Sequence, residues 1–196
     1  MATVEEILSV GLDVGTTTTS MVVSRLSVKN VAAGFVAPRV EVVRREILYR
    51  SPVRFTPLVD GALIDLEALE GTLREDYARA GVSPEEVRTG AVIITGEAAR
   101  KENARRVAKV IASMAGTFVV ATAGPHLEAY LAGLGSGASR ASRERGLRIW
   151  NVDVGGGTTN SALFDRGKLR STWCADVGGR VIRFEVGRAR VVGFSR

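Results

Sequence analysis

Two segments 140 positions apart carry the same punctuation. "GLDVGTTTTS", Gly11 to Ser20, and "NVDVGGGTTNS", Asn151 to Ser161, both contain Asp-Val-Gly-x-x-Thr-Thr, with Asp13 matched by Asp153 and Thr18 by Thr158. Each follows an apolar run ("ILSVGLDV" and "LRIWNVDV") that reads as a buried strand, and each leads into a returning strand ("TTSMVVSRL" and "TTNSALFD"). One such turn is accounted for by hairpin geometry, with Asp and Gly serving the backbone. Two copies with the same flanks ask for a shared task. The chain must therefore fold so that each of two related parts ends a strand in a carboxylate and a glycine–hydroxyl turn.

Glycine beside hydroxyl residues leaves successive backbone N–H groups unobstructed, which suits an anion-binding concavity. Threonine hydroxyls add donors to phosphate oxygens. A carboxylate just ahead of the turn does not attract phosphate. It makes sense if Mg²⁺ or its waters lie between the two, or if the aspartate orients or deprotonates an attacking water. The sequence has neither G-x-x-x-x-G-K-[ST] nor a G-x-G-x-x-G following a strand.

Between the hairpins, "VEVVRREILYR" reads as a strand and "SPVRFTPLVDG" as a Pro- and Gly-punctuated loop. "IDLEALEGTLREDYARAG" carries Leu66, Leu69, Leu73 and Tyr77 at helical spacing and stops at Gly81. Ser83-Pro84-Glu85-Glu86 starts a short helical turn. "GAVIIT" is a strand, "EAARKENARRVAKVIASMAG" a long helix, "TFVVATAG" a strand and "PHLEAYLAGLG" a helix. "GSGASRASRERG" reads as a flexible linker, and Asp165-Arg166-Gly167-Lys168 as the hairpin turn before "KLRSTWCADV". Trp150 and Trp173 fall in strand patterns, where core packing is expected. The class is α/β with a mixed sheet.

The 196 residues are 45% hydrophobic and 24% charged, enough for a substantial core, and no apolar run approaches the roughly 18 residues that span a bilayer. The start "MATVEEILSV" lacks the pattern of a secretory signal. A lone Cys174 points to a reducing cytoplasm. The net charge of +6 is spread among acids without an aromatic platform, which argues against nucleic acid and for a solvated basic face or a surface that docks an acidic partner.

The paired hairpins resemble the first and second phosphate motifs of the actin, sugar-kinase and heat-shock-chaperone ATPase superfamily. Together with "RREILYRSPVRFTPL", "AVIITGEAARKENAR", "FVVATAGPHLEAYLAGLGSGA" and "VGGRVI", they make the chain similar to the ethanolamine ammonia-lyase reactivating factors from about Leu8 to about Arg183. The resemblance implies an actin-like (ribonuclease H-like) α/β fold with a mixed sheet. Residues 1–146 would form the first phosphate-motif lobe with inserted helices, and 147–196 the start of a second lobe. It implies Asp13 and Asp153 as catalytic, Mg²⁺-facing carboxylates, with Gly15, Thr16, Thr17 and Thr18 and then Gly155, Gly156, Gly157 and Thr158 on the phosphates of ATP. Glu128 is the candidate assisting carboxylate, with helix-dipole complementation as its bland reading. His126 reads as a local hydrogen-bonding residue.

The implied activity is that of a chaperone-like ATPase and not a metabolic enzyme. It would use Mg-ATP to release damaged cobalamin from ethanolamine ammonia-lyase so that intact adenosylcobalamin binds. The lyase is the implied partner, without nucleic acid or membrane. The implied location is the cytoplasm, with association with a bacterial microcompartment left open. A small-molecule kinase of the same superfamily and a non-catalytic lyase-binding module are the alternatives. About 37 residues follow Thr159, too few for the adenosine-contacting part of the superfamily, so the chain is expected to match an N-terminal portion.

Overall fold

The computed structural model describes residues 4–15, 17–32, 39–59, 63–95, 107–108, 110–111, 114, 117–122, 124–179, 182–185 and 187–194. They form two compact units, one of residues 1–94 with 100–121, the other of 95–99 with 122–196.

In the first unit, β1 (Val4–Val14) and β2 (Thr18–Asn30) form the expected hairpin, paired antiparallel from Val4↔Lys29 to Val14↔Thr19. β3 (Val40–Arg50) continues on the far side of β2, while a two-residue β4 (Arg54–Phe55) pairs with the start of β2. β5 (Leu58–Val59) and β6 (Leu63–Ile64) make a small separate ladder. The segment read as loop thus holds two short strands, which are too brief to show a period of two. β7 (Val87–Ile94) runs parallel to β1, and β8 (Thr117–Thr122) follows, giving the order β3-β2-β1-β7-β8. The core is made by Val10, Leu12 and Val14, by Met21 and Val23, by Val92 and Ile94, and by Val107 and Ile111.

α1 (Leu66–Ala80) begins where the Asp65 carboxylate accepts from the Ala68 N–H at 3.0 Å. It ends at Gly81, whose φ of 65° is the left-handed conformation that closes helices. Its buried stripe is Leu69, Leu73, Asp76 and Tyr77. The short turn Pro84–Glu86 follows, with Glu86 accepting from the Ser83 N–H at 2.7 Å.

In the second unit, β9 (Arg148–Val154), β10 (Thr159–Asp165) and β11 (Lys168–Ala175) form an antiparallel sheet in the order β11-β10-β9. Arg166 (φ 50°) and Gly167 (φ 80°) make the β10–β11 turn, as the sequence predicts. β12 (Ile182–Phe184) and β13 (Val191–Phe194) pair separately. α2 (Pro125–Gly135) and α3 (Ala138–Arg145) lie on one face of the three-stranded sheet. Phe164 is fully buried beneath them with Ala162 and Ala138, flanked by Tyr130 and Ile149. Both helices belong to this unit because they pack on strands that follow them.

Two expectations are corrected here. The "linker" is α3, a helix that docks through serines. Ser139 Oγ donates to Gly167 O at 3.0 Å, and Ser142 Oγ donates to Leu147 O at 2.6 Å while accepting from Gly167 N at 3.1 Å. The tryptophans are not core. Trp150 is 66% and Trp173 56% exposed, because the helices cover the opposite face, that of Ile149, Asn151, Ala162, Phe164 and Thr172.

Candidate functional site

The two turns repeat in hydrogen bonds as well as in letters. Gly15 N donates to Thr18 O at 2.9 Å, and Gly155 N donates to Thr158 O at 2.8 Å. Val14 pairs with Thr19 and Val154 with Thr159, so both turns close at the same register. Each glycine carbonyl is held by a donor from later in the chain. Thr56 Oγ1 donates to Gly15 O at 2.7 Å, and Gly179 N donates to Gly155 O at 2.9 Å. Thr56 N also donates to Thr17 O at 2.9 Å, while Thr159 Oγ1 donates to Val177 O.

In the first unit the structure places Asp13, Gly15, Thr17 and Thr18 on one hairpin end. Asp13 is exposed and sits opposite Ser20 on β2; Gly15, Thr17 and Thr18 are half-buried. Thr16 lies outside the described residues. In the second unit Asp153, Gly155 and Gly157 are exposed, and Gly156 and Thr158 half-buried. Gly178 presses against this turn. A Cβ there would stand 2.6 Å from Gly155 O and 2.7 Å from Gly157 N, so no side chain fits without moving the turn.

In the same unit Glu128 lies at the end of α2 that reaches β11, two strands from Asp153. α2 starts at Gly124–Pro125 and carries Glu128 in its first turn. Its other contacts fix which sheet face it covers. His126 Nδ1 and Thr172 Oγ1 are 2.8 Å apart, and Ser136 Oγ donates to Asn151 Oδ1 at 2.8 Å. His126 thus forms a hydrogen bond, but with a strand residue 46 positions on and not within its own helix start. By the two-residue pleat, Asp153, Asn160 and Cys174 share that covered face, in one cross-strand row. Burial and then the Glu128 carboxylate push the Cys174 thiol upward, which places that carboxylate's charge near the row.

Asn160 is a residue that motif reading passes over. It is 2% exposed, stands directly across from Asp153, and among the described residues its Oδ1 has no hydrogen-bond partner. A buried amide oxygen without a donor is rare enough to mark a place where water or a ligand's donor belongs. The 140-residue offset relates it to Ser20, the partner of Asp13, and that was the available signal.

These donors suit magnesium and phosphate. Carboxylates and an amide oxygen are hard ligands of the kind Mg²⁺ takes, one or two at a time, with water and phosphate completing the shell. Among the described residues no three His, Cys, Asp or Glu side chains cluster to hold a metal on their own. Among them, too, no helix is long and apolar enough to cross a membrane.

Comparison with known proteins places this geometry in a lineage. The chain is 49% identical over 178 residues to the ethanolamine ammonia-lyase reactivase EutA of Escherichia coli (strain K12), covering 90% of this chain and 38% of that protein. It is 47% identical over 188 residues to its counterpart in Salmonella typhimurium (strain LT2), covering 95% and 40%. It thus spans about two fifths of the length of these curated relatives. A solved structure from the Ppx/GppA family of Aquifex aeolicus shares the fold at a TM-score of 0.57 and 16% identity, over 89% of this chain and 52% of that one. The expected actin-like α/β architecture holds, as a partial version. The family described as "Ethanolamine utilisation protein EutA" matches residues 5–196, and the chain belongs to it.

Proposed function

We propose that this chain supplies phosphate- and metal-binding elements of an EutA-type reactivase, which uses Mg-ATP to release damaged cobalamin from ethanolamine ammonia-lyase. One observation carries the reading. The two turns share their register, their Gly-to-Thr hydrogen bond and an aspartate on the strand before each. Turns serving only as hairpins have no need to agree in all three.

Asp13 at the first turn and Asp153 at the second would each face hydrated Mg²⁺, which supplies positive charge next to phosphate when bound. Gly15 and Gly155 to Gly157 would let phosphate approach the backbone, with Thr16, Thr17, Thr18 and Thr158 donating to its oxygens. Glu128 would orient the attacking water from α2. Nucleotide binding drives release only to the extent that it favours one arrangement of the protein over another. The lyase is the partner on which that preference acts.

Titration calorimetry with Mg-ATP on the chain and on its Asp13→Asn and Asp153→Asn variants tests the binding part. Saturable, Mg²⁺-dependent binding that either substitution weakens supports it, and binding indifferent to both refutes it. Restoration of cobalamin-inactivated lyase by full-length EutA, and its loss in the equivalent aspartate variants, tests the activity.

A further inference from the structure

The residue that holds the first turn in shape is not part of the turn. We infer that Thr56 is a positioning residue for phosphate and metal binding at the Asp13 turn, which rests on the reading of that turn given above.

Thr56 is 5% exposed and meets the turn at three points. Its Oγ1 donates to Gly15 O at 2.7 Å and lies 2.9 Å from Thr19 Oγ1, and its backbone N donates to Thr17 O at 2.9 Å. A hydroxyl has one proton, and a carbonyl accepts only. The Thr56 proton therefore goes to Gly15 O, and the Thr19 hydroxyl donates to Thr56. The effect is chemical as well as structural. A carbonyl oxygen engaged by Thr56 is withheld from the anion site, where its partial negative charge would repel a phosphate.

Thr56 is itself held. Arg54 and Phe55 of β4 pair with Thr19 and Thr18, the strand that leaves the turn. The Arg54 guanidinium meets Asp76 of α1 at 2.6 Å, and the Tyr49 hydroxyl donates to the same carboxylate at 3.0 Å. Asp76 is 2% exposed, so this anchor sits in the core. The second turn meets the same need differently, with the Gly179 backbone N–H on Gly155 O. Two carbonyls at matched positions, each held by a donor of unrelated origin, indicate that fixing this oxygen is a requirement of the turn. Only at Thr56 does a side chain do it, so only there is it removable by substitution.

The test compares Thr56→Val, which keeps the shape and loses the hydroxyl, with Thr56→Ser, which keeps the hydroxyl, in this chain. Amide exchange without ligand should be about tenfold faster at residues 15–19 in the valine variant, the equivalent of about 1.4 kcal/mol for the hydrogen bonds lost. It should be close to wild type in the serine variant, with β10 unchanged in both. Mg-ATP affinity should fall about tenfold with valine and recover with serine. Wild-type exchange in Thr56→Val overturns the inference, as does a serine variant that behaves like valine. Faster exchange with undiminished Mg-ATP affinity also overturns it, by leaving Thr56 a purely structural role. A wild-type chain that binds no Mg-ATP refutes the phosphate reading itself, while the exchange rates still judge the Thr56 hydrogen bonds.

Discussion

Gly178→Ala isolates the contact between the second turn and the segment that follows β11. Gly178 has no positive φ, so alanine adopts its backbone without dihedral strain, and any effect comes from the added methyl. That methyl would lie 2.6 Å from Gly155 O and 2.7 Å from both Gly156 C and Gly157 N. Carbon–oxygen contacts settle at about 3.3 Å or more, so the turn has to retreat by roughly 0.7 Å. All three obstructing atoms are backbone, and no side chain can swing aside. Overpacking of this kind costs about 1–3 kcal/mol. If bound phosphate needs the original turn, that cost appears as a loss of affinity of roughly 5- to 150-fold. Gly179→Ala is the control, since its methyl would meet Gly155 O at an ordinary 3.8 Å. The assay is Mg-ATP titration, with amide exchange over residues 155–158 as the ligand-free readout. Equal affinity and equal exchange in Gly178→Ala and wild type would refute the argument that this turn's shape matters for binding.

Three further substitutions probe other contacts. Ser142→Ala strands Gly167 N and leaves Leu147 O with only the long bond from Arg166 N at 3.4 Å, so the thermal midpoint should fall by the equivalent of about 1–3 kcal/mol, measured by calorimetry. Tyr77 is buried, its hydroxyl has no partner among the described residues, and burial raises its pKa from the usual 10.0 to about 12. Between those values the unfolded chain loses the proton that the folded chain keeps, so stability falls as pH rises. Tyr77→Phe should be more stable at neutral pH and lack this alkaline decline, as followed by urea unfolding at pH 9 and pH 11.5. Asn160→Leu should raise the melting temperature, by removing a buried amide oxygen without a partner, and weaken Mg²⁺-dependent binding; unchanged binding would take Asn160 out of the site.

The hairpins were legible because an apolar strand, a glycine turn and a second strand each leave a local mark, and repetition made the mark specific. α1 was legible for a similar reason, with Asp65 at its start, Gly81 at its end and leucines between. α3 was not, since serine and glycine signal loops when they face water. Here Ser139 and Ser142 are buried and satisfied by backbone partners that the fold alone brings near. β9 misled in another way. Its apolar residues Trp150, Val152 and Val154 share one face, and alternation suggests that this face is the inner one. The helices instead cover Ile149 and Asn151, a choice set by residues well before the strand. The paired turns were readable as motif, but the contacts of Thr56, Asn160 and Gly178 were not, because each meets its turn from a distant part of the chain or from across the sheet.

The exposed indoles also have an experimental consequence. Trp150 and Trp173 are the chain's two tryptophans, and both belong to the β9–β11 sheet of the second unit. Intrinsic tryptophan emission therefore follows that unit alone, from solvent-facing rings that acrylamide reaches in the native state. Tyr49 and Tyr77 lie in the first unit and Tyr130 in the second, so circular dichroism and tyrosine emission follow both units, and a transition they show without a change in tryptophan emission belongs to the first. Unfolding recorded by both signals would separate the two melts without any label being introduced.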